Sequence, residues 1–181
     1  MTDTSPATGK LSAQIGPKRP TPPVERDLSH VPPDAVRELI RLLAAPGSVD
    51  LDTVEVALQM LRIDANALGY AVCEDDANYV RTLLYRDQRV EMLALTWKPG
   101  QRSPVHDHGE STCIVRIVEG LAHEHVYRSR GTLKGERRFI ERELKPGIVT
   151  RAPGAMTHSL GNDGESVLVT LHVYSPPLSK R

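Results

Sequence analysis

Three histidines in the second half of the chain have the type and spacing to hold a divalent metal. His106 and His108 stand two residues apart in WKPGQRSPVHDHGESTCIVRIVEG (97–120), a stretch whose composition reads as extended. Side chains alternate across a strand, so imidazoles at i and i+2 point the same way. A tight site needs a third ligand, and His158, in RAPGAMTHSLGN, lies where a second extended run turns back toward the first. A further pair, His123 and His125, has the same spacing. It has no matching downstream partner and is flanked by charge, so it is expected to hold adventitious metal at most. His30 is expected to face solvent.

A second group lies near the end, in LVTLHVYSPP (168–177). Strict alternation puts Thr170, His172 and Tyr174 on one face and Leu171 and Val173 on the other. Polar residues on one face of an apolar β-run have two readings. They are the solvent side of an edge strand, or a hydrogen-bonded row pointing into an enclosed lumen, where buried polar atoms must satisfy one another.

The elements that must position these groups change character along the chain. Residues 1–32 carry much of the proline with no apolar period and read as a flexible leader, ahead of one domain over 33–181. Val36, Leu39, Ile40 and Leu43 fall at i, i+3, i+4 and i+7, which predicts an amphipathic helix from Pro33-Asp34 to Pro46-Gly47. A second helix is expected from Asp52, with Glu55 completing a capping box and Val54, Leu58 and Leu61 on one face. A short third one is expected over 64–69. Beyond Asn78 the period becomes that of strands: 79–85, 90–97, 112–119, 121–127, 138–144, 148–152 and 166–174, punctuated by Gly and Pro turns. The expected fold is therefore mainly β, a sandwich or small barrel with two or three N-terminal helices packed at one end.

Composition narrows the function classes. Lys plus Arg and Asp plus Glu balance at 23 each, so no net field draws nucleic acid or an anionic membrane, and a small-molecule partner is favoured. No apolar run approaches the roughly 20 residues of a membrane-spanning helix. The two cysteines, Cys73 and Cys113, are too few for a disulfide framework and suit a reducing compartment, so the expected location is the cytoplasm. A monomer is expected.

The spacing Gly100-x5-His106-x-His108-x4-Cys113-x6-Gly120 resembles the first cupin motif, with Cys113 where most cupins place a metal-binding glutamate. Gly147-x5-Pro153-Gly154-Ala155-x2-His158-x3-Asn162 resembles the second, with Ala155 in place of a glycine. Loss of that carboxylate leaves three neutral imidazoles. The ion would keep its full charge and favour an anionic ligand from a substrate.

SPVHDHGESTC, the later His158 and the ending LHVYSPP together resemble the type I cysteine dioxygenases, a branch of the cupins that oxidises thiols. PPDAVRELIRLL and NYVRTLLYRD extend the similarity over about residues 33 to 178. The resemblance implies a cupin-type, jelly-roll-like small β-barrel and a ferrous iron held by His106, His108 and His158. Arg81 would then hold the carboxylate of a small thiol acid, with Tyr79 beside it. A guanidinium fork suits that task because it donates two parallel charged hydrogen bonds. Taken alone, Arg81 could equally be a surface charge on a strand.

The resemblance also implies that Thr170, His172 and Tyr174 form the polar row beside the metal, with Thr170 in place of the usual serine. Cys113 and Tyr174 match a pair that forms a thioether cross-link in the animal enzymes; alternatively Cys113 is a small buried apolar side chain. Ser175-Pro176 matches a cis peptide bond. The implied reaction is oxidation of L-cysteine by dioxygen to its sulfinic acid. A 3-mercaptopropionate dioxygenase is the nearest rival, although those enzymes tend to have glutamine at the position of Arg81. A non-catalytic cupin that binds a metal or a small acid is the rival from another class.

Overall fold

A computed structural model describes residues 24–25, 34–65, 68, 78–127 and 139–178 of the 181. Two helices precede eight strands, and a two-residue strand, β1 (Val24–Glu25), runs parallel to β2 (Val80–Arg86). The rest of the leader, His30 and Cys73 lie outside the described residues.

Helix α1 (Asp34–Ala44) buries Val36, Leu39 and Leu43, three of the four positions that the apolar period marks. Helix α2 (Leu51–Met60) buries Val54 and Leu58. Its cap is Asp50, not Asp52. Asp50 has extended backbone, and its carboxylate accepts the amide of Asp52 at 3.1 Å and the hydroxyl of Thr53 at 2.5 Å. Asp52 and Glu55 sit within the first turns and pair with Arg151 instead. Of the expected third helix, the described residues show one turn, closed by the amide of Leu68 on the carbonyl of Ala65. No helix among the described residues is long and apolar enough to cross a membrane.

The strands β3 (Glu91–Trp97), β4 (Thr112–Glu119), β7 (Val149–Ala152) and β9 (Leu168–Ser175) join β1 and β2 in one sheet of order β1-β2-β3-β9-β4-β7. A second sheet has the order β6-β5-β8, from β5 (Ala122–Tyr127), β6 (Phe139–Leu144) and β8 (His158–Gly161). The expected mainly β fold with N-terminal helices is present. Among the described residues the sheets do not close into a continuous hydrogen-bonded barrel; two isolated bridges, Arg102 to Gly161 and His106 to His158, tie loop to strand.

Alternation splits the large sheet into two faces. Val90, Met92 and Ala94 of the β3 end, with Val169, Leu171 and Val173 of β9, pack with the helices. Leu93, Leu95 and Trp97, with Leu168 and Tyr174, join Ala122, Leu144 and Leu160 of the small sheet in a second core. The polar row Thr170, His172 and Tyr174 lies on this second face, in a strand flanked on both sides by β3 and β4. Its members are at most 5% exposed, so the edge-strand reading falls.

Sheet arginines hold the helix ends. Arg89, in the hairpin turn after β2, donates to the carbonyl of Leu43 in the last turn of α1 and to those of Ala45 and Gly47 just past it, and pairs with Asp87 at 2.7 Å. Arg116 of β4 donates to the carbonyls of Leu58 and Gln59 at the end of α2, which has no basic residue in its own last turn. Both satisfy carbonyls that a helix leaves open and place positive charge at the negative end of its dipole. Arg89→Ala is expected to cost about 2 kcal/mol, lowering Tm by roughly 4–8 °C in a thermal melt. An unchanged Tm would show the contacts to be idle.

Candidate metal centre

Two of the three histidines reach the site through one backbone bridge. The amide of His106 donates to the carbonyl of His158 at 2.9 Å and the amide of His158 to that of His106 at 2.8 Å. This ties the loop before β4 to the start of β8, so ligands 52 positions apart arrive in fixed relation. His108 is held by its amide on the carbonyl of Gly154 at 3.0 Å. A Cβ on Gly154 would lie 2.0 Å from the carbonyl oxygen of Gly109, which is why the second motif needs glycine here. Asn162, the last residue of that motif, is fully buried and donates to the carbonyls of Trp97 and Ser166; it braces the turn and takes no part in the centre.

The imidazoles form a near-equilateral triangle, with ring centroids 5.1, 4.8 and 4.9 Å apart and potential ligand nitrogens all within 4.8 Å of one another. Their outer nitrogens fix the protons of two of them. His158 Nδ1 is 2.7 Å from Glu124 Oε1, and His106 Nδ1 is 2.8 Å from the carbonyl of Pro104. Each faces an acceptor, so each Nδ1 carries hydrogen, and in the neutral ring Nε2 then keeps its lone pair. His158 Nε2 and His108 Nε2 lie only 3.3 Å apart. His108 Nδ1 is buried near the Ala152 carbonyl without completing a hydrogen bond.

Burial, then the neighbouring His158 and His106, pulls the pKa of His108 down to about 4, and burial lowers that of His106, so both rings are neutral at physiological pH. Converging imidazole lone pairs, two of them on rings whose outer nitrogens are hydrogen-bonded, are the donor set of a divalent metal site. The described residues fit such an ion.

Glu124, the partner of His158 at this centre, is a residue that sequence reasoning missed. It is 1% exposed and also pairs with Arg142 of β6. Burial would raise its carboxyl pKa, but the hydrogen bond from His158 and the charge of Arg142 outweigh that and hold it down. The signal was present: on β5 Glu124 falls in alternation with Ala122 and Val126, a charge on an apolar face. His123 and His125 point the other way. His125 lies with Glu141 and Asp163, stacks on Phe139 at 4.1 Å, and is not brought to the triad. Asp163 there is already paired with Arg102.

The remaining predicted residues gather on the inner face of the large sheet. Tyr79 and Arg81 alternate with Leu83 toward the second core, and Tyr79 stacks on Trp97 at 3.9 Å between centroids. Arg81 Nε is buried with no hydrogen-bond partner among the described residues, and the Arg81 charge is felt by His106, His172, Cys113 and Tyr174. In the polar row, Thr170 Oγ1 is 2.8 Å from His172 Nε2, and Tyr174 Oη is 3.3 Å from His172 Nδ1. The Tyr174 ring meets His108 edge to face at 5.4 Å.

Cys113 is the cross-strand partner of Tyr174 and is fully buried. Burial pushes the Cys113 thiol and the Tyr174 hydroxyl up, so both stay protonated. The Ser175-Pro176 bond is cis.

Cysteine dioxygenase type 1 of Bos taurus is 27% identical over 153 residues, covering 80% of this chain and 74% of that protein. The Homo sapiens protein is 25% identical over 155 residues, covering 80% and 76%. Among solved structures, an RmlC-like cupin with a double-stranded β-helix fold from Methanocaldococcus jannaschii is 17% identical. That alignment covers 59% of this chain and 88% of that one, at a TM-score of 0.45. Residues 27–181, nearly all of the described chain, match the family described as cysteine dioxygenase type I, and the protein with this histidine triad belongs to that family.

Proposed function

We propose that the protein is an iron-dependent thiol dioxygenase that converts L-cysteine and O2 to cysteine sulfinic acid. The observation that carries the substrate class is Arg81: its Nε is buried with no hydrogen-bond partner among the described residues, and its charge is felt at His106. Such a group calls for an anion, and a carboxylate is the anion its planar fork fits.

His106, His108 and His158 would hold the iron, which when bound supplies the redox chemistry that lets dioxygen react with a thiol. The chain's own residues do the rest. Arg81 binds the carboxylate, and Tyr79, fixed against Trp97, walls the same side. Three neutral ligands leave the centre cationic and favour the thiolate over the thiol. Tyr174, backed by His172 and Thr170, presents its hydroxyl beside His108 and orients the reacting groups. Both oxygen atoms go to sulfur and the thiol supplies all the electrons, so no further reductant enters.

The test is oxygen uptake by anaerobically iron-loaded protein offered L-cysteine or 3-mercaptopropionate, with the product acid identified. Faster turnover of cysteine to its sulfinic acid is expected. Preference for 3-mercaptopropionate would overturn the substrate, and no uptake at full iron occupancy would favour a binding module. Arg81→Gln is expected to raise KM for cysteine about ten- to a hundredfold, the worth of a charged hydrogen-bond pair, at unchanged iron content. Iron loss in that variant would contradict the role given to Arg81.

A further inference from the structure

The outer face of the small sheet carries a second set of metal donors. Register places Glu141 of β6, His125 of β5 and Ser159 of β8 in one row, and Glu143, His123 and Gly161 in the next. Residues directly opposite in antiparallel strands share a face, here the one turned away from Glu124 and His158. The missing side chain of Gly161 shapes the second row. A Cβ there would lie 2.9 Å from Arg102 Cβ and Nε, so glycine gives Arg102 room to lie over the strand. The Arg102 guanidinium donates to the carbonyl of His123 at 3.2 Å and pairs with Asp163, which brings that carboxylate to the histidines. His123 Nδ1 is 3.8 Å from Asp163 Oδ2, and His125 Nε2 is 3.7 Å from Glu141 Oε1. One donor atom each from His125, Glu141 and Asp163 lie within 4.8 Å of one another, the limit that the triad also meets. Spacing along the chain offers His125 no metal-binding partner; the fold supplies two.

Two polar atoms on this face lack a hydrogen bond. Ser159 is 1% exposed, and its Oγ has no partner among the described residues. His123 Nδ1 is likewise buried and unpartnered. Buried polar atoms call for a partner, and the 3.7 and 3.8 Å separations are too long for a hydrogen bond. At zinc bond lengths of about 2.0–2.2 Å, tetrahedral donors stand about 3.3–3.6 Å apart, so these separations suit an ion between the groups. Glu141 and Asp163 are exposed enough to swing the remaining distance. The pairing with Arg102 does not exhaust Asp163, because a carboxylate offers about four lone-pair sites. Glu143 is paired with Lys145. Glu141 and Asp163 against Arg102 then leave an excess of negative charge, which a cation offsets.

We propose that His125, Glu141 and Asp163 form a second divalent-metal site of the zinc class, separate from the triad, with His123 and Ser159 at its margin. Mixed imidazole and carboxylate donors suit zinc, nickel or copper, and ferrous iron ranks below all three in affinity. Iron content therefore reports on the triad alone. An ion bound here ties the edge strand β6 and the turn that carries Asp163 to β5, whose other face holds Glu124 against His158. The site does not depend on the proposed reaction.

The experiment is zinc titration of the full-length, metal-free protein, with bound metal counted by elemental analysis after gel filtration. Two equivalents per chain are expected. His158→Ala should lose the equivalent at the triad and keep the other, and His125→Ala should do the reverse. Glu141→Gln changes an exposed side chain and should weaken the second site by at least about tenfold; it decides if His125→Ala does not fold. One equivalent in the wild type would overturn the site and leave this face as an ion-pair network. A second equivalent that survives both His125→Ala and Glu141→Gln would overturn it as well. Two equivalents that respond as expected, in a protein that turns over no thiol, would leave this site standing and overturn the proposed reaction instead.

Discussion

Replacing His158 by alanine should remove bound iron and lower kcat/KM for the thiol by about a thousandfold or more, because a metal supplies several kcal/mol of the activation this reaction needs. The variant should still fold. The His106–His158 bridge is made by main chain, and alanine keeps both of its hydrogen bonds. Elemental analysis, circular dichroism and oxygen uptake on one preparation separate the outcomes. Retained iron would mean that His158 is not a ligand. The same substitution at His125 is the control: its side chain points away from the triad toward Glu141, so iron content and turnover should stay at wild-type levels. Two His-x-His pairs of identical spacing are thereby told apart by function, as they are by the direction in which β5 faces.

The second large effect is expected at Glu124. Alanine there leaves His158 Nδ1 without its acceptor and Arg142 without its buried counter-charge. Breaking a fully buried pair costs about 3–5 kcal/mol. Because the Arg142 side chain is 40% exposed and can turn to water, about 2–4 kcal/mol is expected here. Metal affinity should fall about ten- to a hundredfold, since the carboxylate fixes the His158 tautomer and makes its other nitrogen a stronger ligand. Glutamine keeps an acceptor oxygen but no charge, so Glu124→Gln should lie between wild type and alanine in both respects. Metal titration and a denaturant melt of the three proteins give the comparison. Wild-type metal affinity in the alanine variant would show that His158 needs no support from Glu124.

How far the sequence disclosed this depends on whether a signal is local. The strands were legible where alternation runs long enough to count: Thr112–Glu119 has the ends expected of it, and the polar face of β9 follows from its period alone. The histidine triad was legible because two spacing patterns constrain it at once. β8 was not read as a strand because its four residues, His158–Gly161, end in glycine and show no countable period. They are held by pairing with β5, a long-range cause. Asp50 was passed over as a cap because Asp52 and Glu55 offer the same residue types two positions on. What decided it was Arg151, reaching across from β7 to draw both acids into ion pairs. Trp97 and Glu124 each look ordinary in their own strands. What sets them apart is a buried hydrogen-bond partner 73 and 34 positions away, at Thr170 and His158.

The division of β9 between two faces carries one more consequence. Val169, Leu171 and Val173 belong to the core under the helices, while Thr170, His172 and Tyr174 lie on the side of the histidine triad, and single peptide bonds separate the two sets. A close-packed interior transmits a change of volume into backbone displacement. Residues of α1 and α2 that never approach the histidine triad are thus in a position to shift the groups beside it. In the evolution of such an enzyme, thermal adaptation of the helical layer and substrate adaptation of the centre would not be separable histories: a methyl group gained or lost beneath the helices would call for an answering change on the other side of the same strand.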